Sequence, residues 1–143
     1  HIQCEKEMIT NFFYRYFDGG ISIDMVYPGG KIIPDGAFMV TSNGESSLYA
    51  LEVYNDDEPS RPLKQLSKHL QCIKKSSLGK ALGIKKGHRV CCVFYNFSVM
   101  QKVMQNFEPG QERRFFIFKT QDEVLNSFRK NWVDMFGGAI HLV

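Results

Sequence analysis

No uninterrupted apolar run approaches the ~20 residues that a membrane-spanning helix needs. No basic start leads into an apolar stretch, so no secretory signal is visible. Cysteine is scarce. The four present are Cys4, Cys72, Cys91 and Cys92, and none are spaced as C-x-x-C. Neighbouring strand residues point to opposite faces, so the adjacent pair makes a poor zinc clamp. A chain of 143 residues can build its own core, which argues against a disulfide scaffold. Free buried thiols in a reducing, cytoplasmic compartment are the expectation. There is no internal repeat, no low-complexity tract and no linker. A phosphate loop is missing too: Ser77-Leu78-Gly79-Lys80 lacks the required Gly at Lys74 and the Ser or Thr at Ala81. No G-x-S-x-G elbow exists. His1, His69, His88 and His141 show no metal-ligand spacing.

Acidic residues are absent from a long central stretch. Residues 59–107 carry 10 basic side chains and no acidic one, whereas residues 1–58 carry 3 basic and 10 acidic. The net charge is only +3. Two readings of the basic stretch stand level on charge alone. One is a solvated face that balances the acidic half. The other is a surface for nucleic acid or phosphate.

What is present is a core. Apolar residues make up 43%, with 12 Phe, 6 Tyr and 1 Trp, which excludes disorder and fibrous repeats. The length fits a single domain over residues 1–143. The first residue is His1 rather than Met, which points to a domain taken from a longer chain, or to a processed or tagged product.

Ile2, Met8, Ile9, Phe12, Phe13 and Phe17 recur at helical spacing and predict a helix over 2–17. Alternation at Ile21, Ile23 and Met25 predicts a strand, and Gly29-Gly30 a turn. A second strand region covers 31–34 and 36–42. Asn43-Gly44 predicts a hairpin into a third strand, 48–54. A polar loop at 55–60 leads into a helix whose apolar stripe is Leu63, Leu66, Leu70 and Ile73. That helix is expected to break near Ser76-Ser77, with a short second piece ending at Gly83. A buried strand at 89–95, a helix at 99–107, a strand at 114–119 and a helix at 122–132 complete the pattern. The order α-β-β-β-α-β-α-β-α predicts an α/β fold with a mixed sheet and helices on both faces. The aromatics Phe94, Tyr95, Phe97, Phe115, Phe116 and Phe118 are expected in strands, as core.

Glu52 is a carboxylate inside an apolar strand, and an unpaired buried carboxylate is costly. Asp35 is eight residues before Asn43, and Glu52 is eight after Gly44, so the hairpin sets the two face to face. Two adjacent carboxylates need a proton or a cation between them. Oxygen ligands of this kind suit Mg²⁺ or Mn²⁺. Taken singly, Asp35 reads as a turn residue and Glu52 as the partner of a core Arg or Lys. Lys64 and Lys68, four apart on the following helix, share a face and can stabilise charge on a phosphate, or can simply be solvated. Glu5 or Glu7 on the first helix can add a third carboxylate, although a solvated face is favoured for both. His69 can face the same site, although a surface position is the expectation.

Pro34-Asp35-Gly36 followed by Glu52-Val53-Tyr54, in this order of elements, resembles the PD-(D/E)XK nuclease superfamily over about residues 1–96. The resemblance implies a restriction-endonuclease-like αβββαβ core, here with a C-terminal β-α extension. It also implies a divalent metal on Asp35, Glu52 and the Val53 carbonyl, joined by a Glu of the first helix. The family places a Lys two residues after the Glu, and this chain has Tyr54 there. In some members that Lys has moved to the next helix, which points to Lys64 or Lys68. Otherwise the domain is a relative without activity. The stretch through Lys64-Gln65-Leu66 is similar to replication-relaxation-type proteins of plasmids and mobile elements. Viral cap-snatching endonucleases, a branch with a displaced Lys and an early His, keep His1 as a further candidate ligand.

The expectation is therefore a nuclease that uses Mg²⁺ or Mn²⁺ on nucleic acid, DNA ahead of RNA, with no membrane association. Lys74, Lys75, Lys80, Lys85, Lys86 and Arg89 would engage phosphates without reading sequence. The rival expectation is a nucleic-acid-binding module that keeps the nuclease fold without the chemistry. A weaker third is a protein-interaction domain whose basic half docks an acidic partner.

Overall fold

The computed structural model describes residues 5–17, 19–20, 25–27, 29–42, 44–75, 88–126, 132–135 and 138–140. Helix α1 (Lys6–Tyr16) is followed by the short strands β1 (Met25–Tyr27) and β2 (Gly30–Ile32). Next come β3 (Gly36–Ser42), β4 (Glu45–Tyr54), helix α2 (Ser60–Lys75) and β5 (Arg89–Phe94). Helix α3 (Phe97–Asn106), a 3-10 turn (Gly110–Phe115), β6 (Phe116–Thr120), α4 (Gln121–Asn126), β7 (Trp132–Val133) and β8 (Ala139–Ile140) complete the chain. Among the described residues, six strands form one sheet in the order β3-β4-β5-β6-β7-β8, while β1 and β2 pair separately. The β4-β5 and β5-β6 pairs are parallel and the other pairs antiparallel, so the sheet is mixed.

The hairpin at Gly44 has its glycine at φ +79°, in the left-handed region that a side chain disfavours. It pairs Gly36 with Leu51, and that register sets Asp35 against Glu52. Helix α2 then carries the chain back to start β5 parallel to β4, as such crossovers do.

Alternation along the strands divides the core. Tyr49, Leu51 and Val53 face α1 and pack with Ile9, Phe13, Phe38, Cys91, Val93, Val124 and Trp132. Tyr54, Cys92, Phe94, Phe116 and Phe118 face the other way, toward Leu66 of α2 and Val99, Met100 and Val103 of α3. A smaller cluster joins Met25 and Ile32 of the β1–β2 pair to Ala37, Leu48, Ala50 and Cys72. Phe13 sits at the centre of the first layer, 5.7 Å from the Phe38 ring and edge-on to Trp132. Truncating such a side chain to Ala costs about 3–5 kcal/mol.

Several boundaries differ from the pattern. Trp132 lies in β7, not at the end of a helix; α4 is described over Gln121–Asn126, and residues 127–131 of the expected helix lie outside the described residues. The ring is fully buried against the sheet, so packing sets the local structure there. Residues 110–115, partly read as strand, form the 3-10 turn. Phe97 opens α3, not a strand, and is 56% exposed. It lies on the helix's solvent side, while Val99, Met100 and Val103 fill the core. The expected break at Ser76-Ser77 and the piece ending at Gly83 lie outside the described residues, as do residues 2–4 and 21–24 of the first helix and strand. Among the described residues, no helix is long and apolar enough to cross a membrane.

Candidate functional site

Asp35 and Glu52 are held in place by each other's backbone. The Val53 N–H donates to Asp35 Oδ2 at 2.7 Å, and the Asp35 N–H faces Glu52 Oε1 at 3.4 Å. Gly36 lets α1 come close: a Cβ there would meet the Thr10 methyl at 2.9 Å and the Tyr14 hydroxyl at 3.0 Å. Tyr14 uses that hydroxyl to accept the Ala37 N–H at 3.1 Å. The same approach brings Lys6, in the first turn of α1, to 3.6 Å from Asp35 Oδ1.

Glu52 is fully buried, and its partner is neither Arg nor Lys. His69 Nε2 lies 2.5 Å from Glu52 Oε2, and His69 Nδ1 lies 3.0 Å from His88 Nε2. His69 is completely buried and His88 nearly so, which overturns the expected surface position of His69. Burial first, then the neighbouring Asp35 charge, push the Glu52 carboxyl well above the usual carboxylate range. Burial pushes His69 and His88 down to about 3. A neutral chain satisfies all three groups if the Glu52 carboxyl O–H donates to His69 Nε2 and the His69 Nδ1–H donates to His88 Nε2.

The signal for His69 was in the helix period. Pro62, Leu66, His69 and Ile73 recur at intervals of four, three and four and are the buried face of α2. That stripe is rotated from the expected one, since Leu63 and Leu70 are only partly buried. The rotation leaves Lys64 exposed and Lys68 half-buried. The lysine found against the carboxylates is Lys6, which sequence reasoning passed over. Glu5 precedes α1 and Glu7 lies in its first turn, and both side chains are exposed.

Tyr54, where the resemblance expects Lys, is fully buried against Phe94. Its hydroxyl has no hydrogen-bond partner among the described residues. Arg61, forked onto Asp56 by two 2.7 Å bonds, stands over the Tyr54 ring at 5.7 Å. Of the basic group, Lys74 and Lys75 are exposed at the end of α2, and Arg89 is half-buried beside Phe115. Lys80, Lys85 and Lys86 lie outside the described residues, as does His1.

Among the described residues, no three His, Cys, Asp or Glu side chains are grouped to hold a metal ion. Of the expected ligands the structure brings Asp35 and Glu52 together, and Mg²⁺, which keeps several waters, can be held by one or two carboxylates. No protein-family model, no curated protein and no solved structure matches the chain.

Proposed function

We propose that the chain is a metal-dependent phosphodiesterase acting on nucleic acid, DNA ahead of RNA, with a restriction-endonuclease-like core. The observation that carries this reading is the β3–β4 register, which seats Asp35 beside Glu52 with Lys6 at the open side. The succession of α1, the strands through β4, α2 and β5 supports the same reading. Among the described residues, the β1–β2 pair standing apart from the main sheet departs from it, as does Tyr54.

In this reading Asp35, Glu52 and the Val53 carbonyl would hold Mg²⁺ or Mn²⁺, which would supply Lewis-acid chemistry at a phosphate ester. Lys6 supplies the positive charge that the family draws from the position of Tyr54, and it can stabilise the attacked phosphate. His69 fixes the orientation of Glu52. Lys74, Lys75 and Arg89 meet neighbouring phosphates, with a salt dependence that counts them. Buried free thiols at Cys72, Cys91 and Cys92 support a reducing compartment, and we place the chain in the cytoplasm on that ground. Replication or mobilisation of a mobile element is the setting that the resemblance would give it.

One observation favours a second reading, a nuclease-fold module that binds nucleic acid without cutting it. Both carboxylates already have protein partners, and Tyr54 cannot act as Lys would. Cleavage of single- and double-stranded DNA and RNA in Mn²⁺, compared between wild type and Glu52→Gln, separates the two. Metal-dependent cleavage lost in the variant supports the enzyme. Salt-sensitive binding indifferent to Mn²⁺, with no cleavage, establishes the module.

A further inference from the structure

A cleft of about 350 Å³ opens at the carboxyl ends of β5 and β6, away from the carboxylate pair. Its place in the topology is distinctive. β5 passes the chain to α3, which packs with α2 on one face of the sheet. β6 passes it to α4, whose Val124 packs with α1 on the opposite face. Where successive connections leave a parallel sheet on opposite sides, the strand ends part and form a binding crevice.

The lining has two characters. Phe118 and Met100 make an apolar floor, and the exposed ring of Phe97 stands beside them. Asp122 and Glu123, in the first turn of α4, line it with Lys119 of β6, whose buried ammonium lies over the Trp132 ring. Two carboxylates and one ammonium leave the cleft acidic, in a chain whose net charge is +3. A phosphate or carboxylate is disfavoured there. A flat ring carrying N–H donors is favoured, because it can lie on Phe97 and present its edge to the carboxylates.

We propose that this cleft binds a nucleobase, with a preference for bases that carry an amino group. The choice of a nucleobase among such heterocycles rests on the reading of the chain as a nucleic-acid enzyme. The spacing agrees with that choice. Glu52 pairs with Cys92, and Cys92 with Phe118, so the carboxylate and the cleft floor share one rung of the sheet. Two strand spacings, about 10 Å, separate them. A base held in the cleft belongs to a nucleotide close to the phosphate at Asp35. Only an unstacked base can enter, which makes single-stranded or locally opened nucleic acid the substrate.

The test uses nucleosides, which carry no phosphate and so bypass the carboxylate pair. Calorimetric titration of the whole chain with cytidine, adenosine, guanosine and uridine should give saturable binding for the first three and weaker binding for uridine. Phe97→Ala should weaken binding at least about tenfold, the usual scale for losing one stacking platform. Glu123→Gln should narrow the gap between cytidine and uridine. Both side chains are exposed, so both variants are expected to melt like wild type. No heat from any nucleoside at millimolar concentration overturns the inference, as does binding that Phe97→Ala leaves unchanged. Glu52→Gln should bind nucleosides normally. Nucleoside binding without metal-dependent cleavage would therefore sink the enzyme reading and leave the cleft standing, and cleavage without nucleoside binding would do the reverse.

Discussion

Asp35 and Glu52 stand side by side across the β3–β4 hairpin, and each is tied to the other's strand. The Val53 amide holds Asp35 Oδ2 at 2.7 Å, while Glu52 Oε1 lies 3.4 Å from the Asp35 amide. Shifting the register by one residue would turn Glu52 to the α1 face and break both contacts. The pairing is thus a property of the hairpin.

Glu52→Gln and Asp35→Asn should therefore fold, since Gln and Asn keep hydrogen-bonding atoms in place. Each should lower Mn²⁺-dependent cleavage by at least about 100-fold, the scale for removing one charge-stabilising group. Cleavage rates beside far-UV circular dichroism check this. Wild-type rates in a folded Glu52→Gln variant would end the metal-site reading.

Lys6 and Lys64 should separate sharply. Lys6 is beside Asp35, and Lys64 is exposed on α2. Lys6→Ala should reduce kcat about tenfold or more, whereas Lys64→Ala should leave it within about twofold. Single-turnover rates at saturating substrate make the comparison. An equal loss in both would return the role to α2.

Tyr54 gives a stability prediction with a definite sign. Its buried hydroxyl lacks a partner among the described residues, and such a group costs about 1–3 kcal/mol. Tyr54→Phe should be neutral or stabilising in urea titrations. Tyr54→Lys, which introduces the residue that the nuclease superfamily usually carries there, should destabilise strongly, because it buries an unpaired ammonium. A well-folded and more active Tyr54→Lys variant would show that the strand end is more open than described.

Stability should rise between pH 4.5 and 6.5. Folded, His69 and His88 stay neutral down to about 3. Unfolded, both imidazoles hold a proton below 6.5. Between those values the unfolded imidazoles bind two protons that the folded ones do not, so stability rises with pH. Glu52 opposes the rise, because burial raises its folded carboxyl above the ordinary 4.5 and its contribution is lost as pH rises. Melting curves from pH 4.5 to about 6.5 read the slope. His88→Asn should flatten it, and Glu52→Gln should steepen it.

The hairpin was the most legible part of the sequence. Asn43-Gly44 fixed its turn, and counting outward from it placed Asp35 against Glu52. Local turn chemistry and strand alternation carry that much without any tertiary information. The partners of the pair were not legible. His69 shares the α2 stripe with Leu66 and Ile73, but the helix period also admits Leu63 and Leu70, and only packing against β4 selects the face. Lys6 reaches Asp35 because α1 crosses over Gly36, and such a crossing has no local signature. His88, just before β5, meets His69 through the parallel pairing of β4 and β5, again a long-range event.

The division of the core into clusters has a practical consequence. Cys91 belongs to the layer under α1, Cys92 to the layer under α2 and α3, and Cys72 to the cluster beneath the β1–β2 pair. All three are free thiols, and burial raises the pKa of each, so they resist alkylation while covered. Among the described residues, each compartment of the interior thus carries one native chemical clock. Pulsed alkylation followed by mass spectrometry would time the opening of each compartment separately, without introducing a single label.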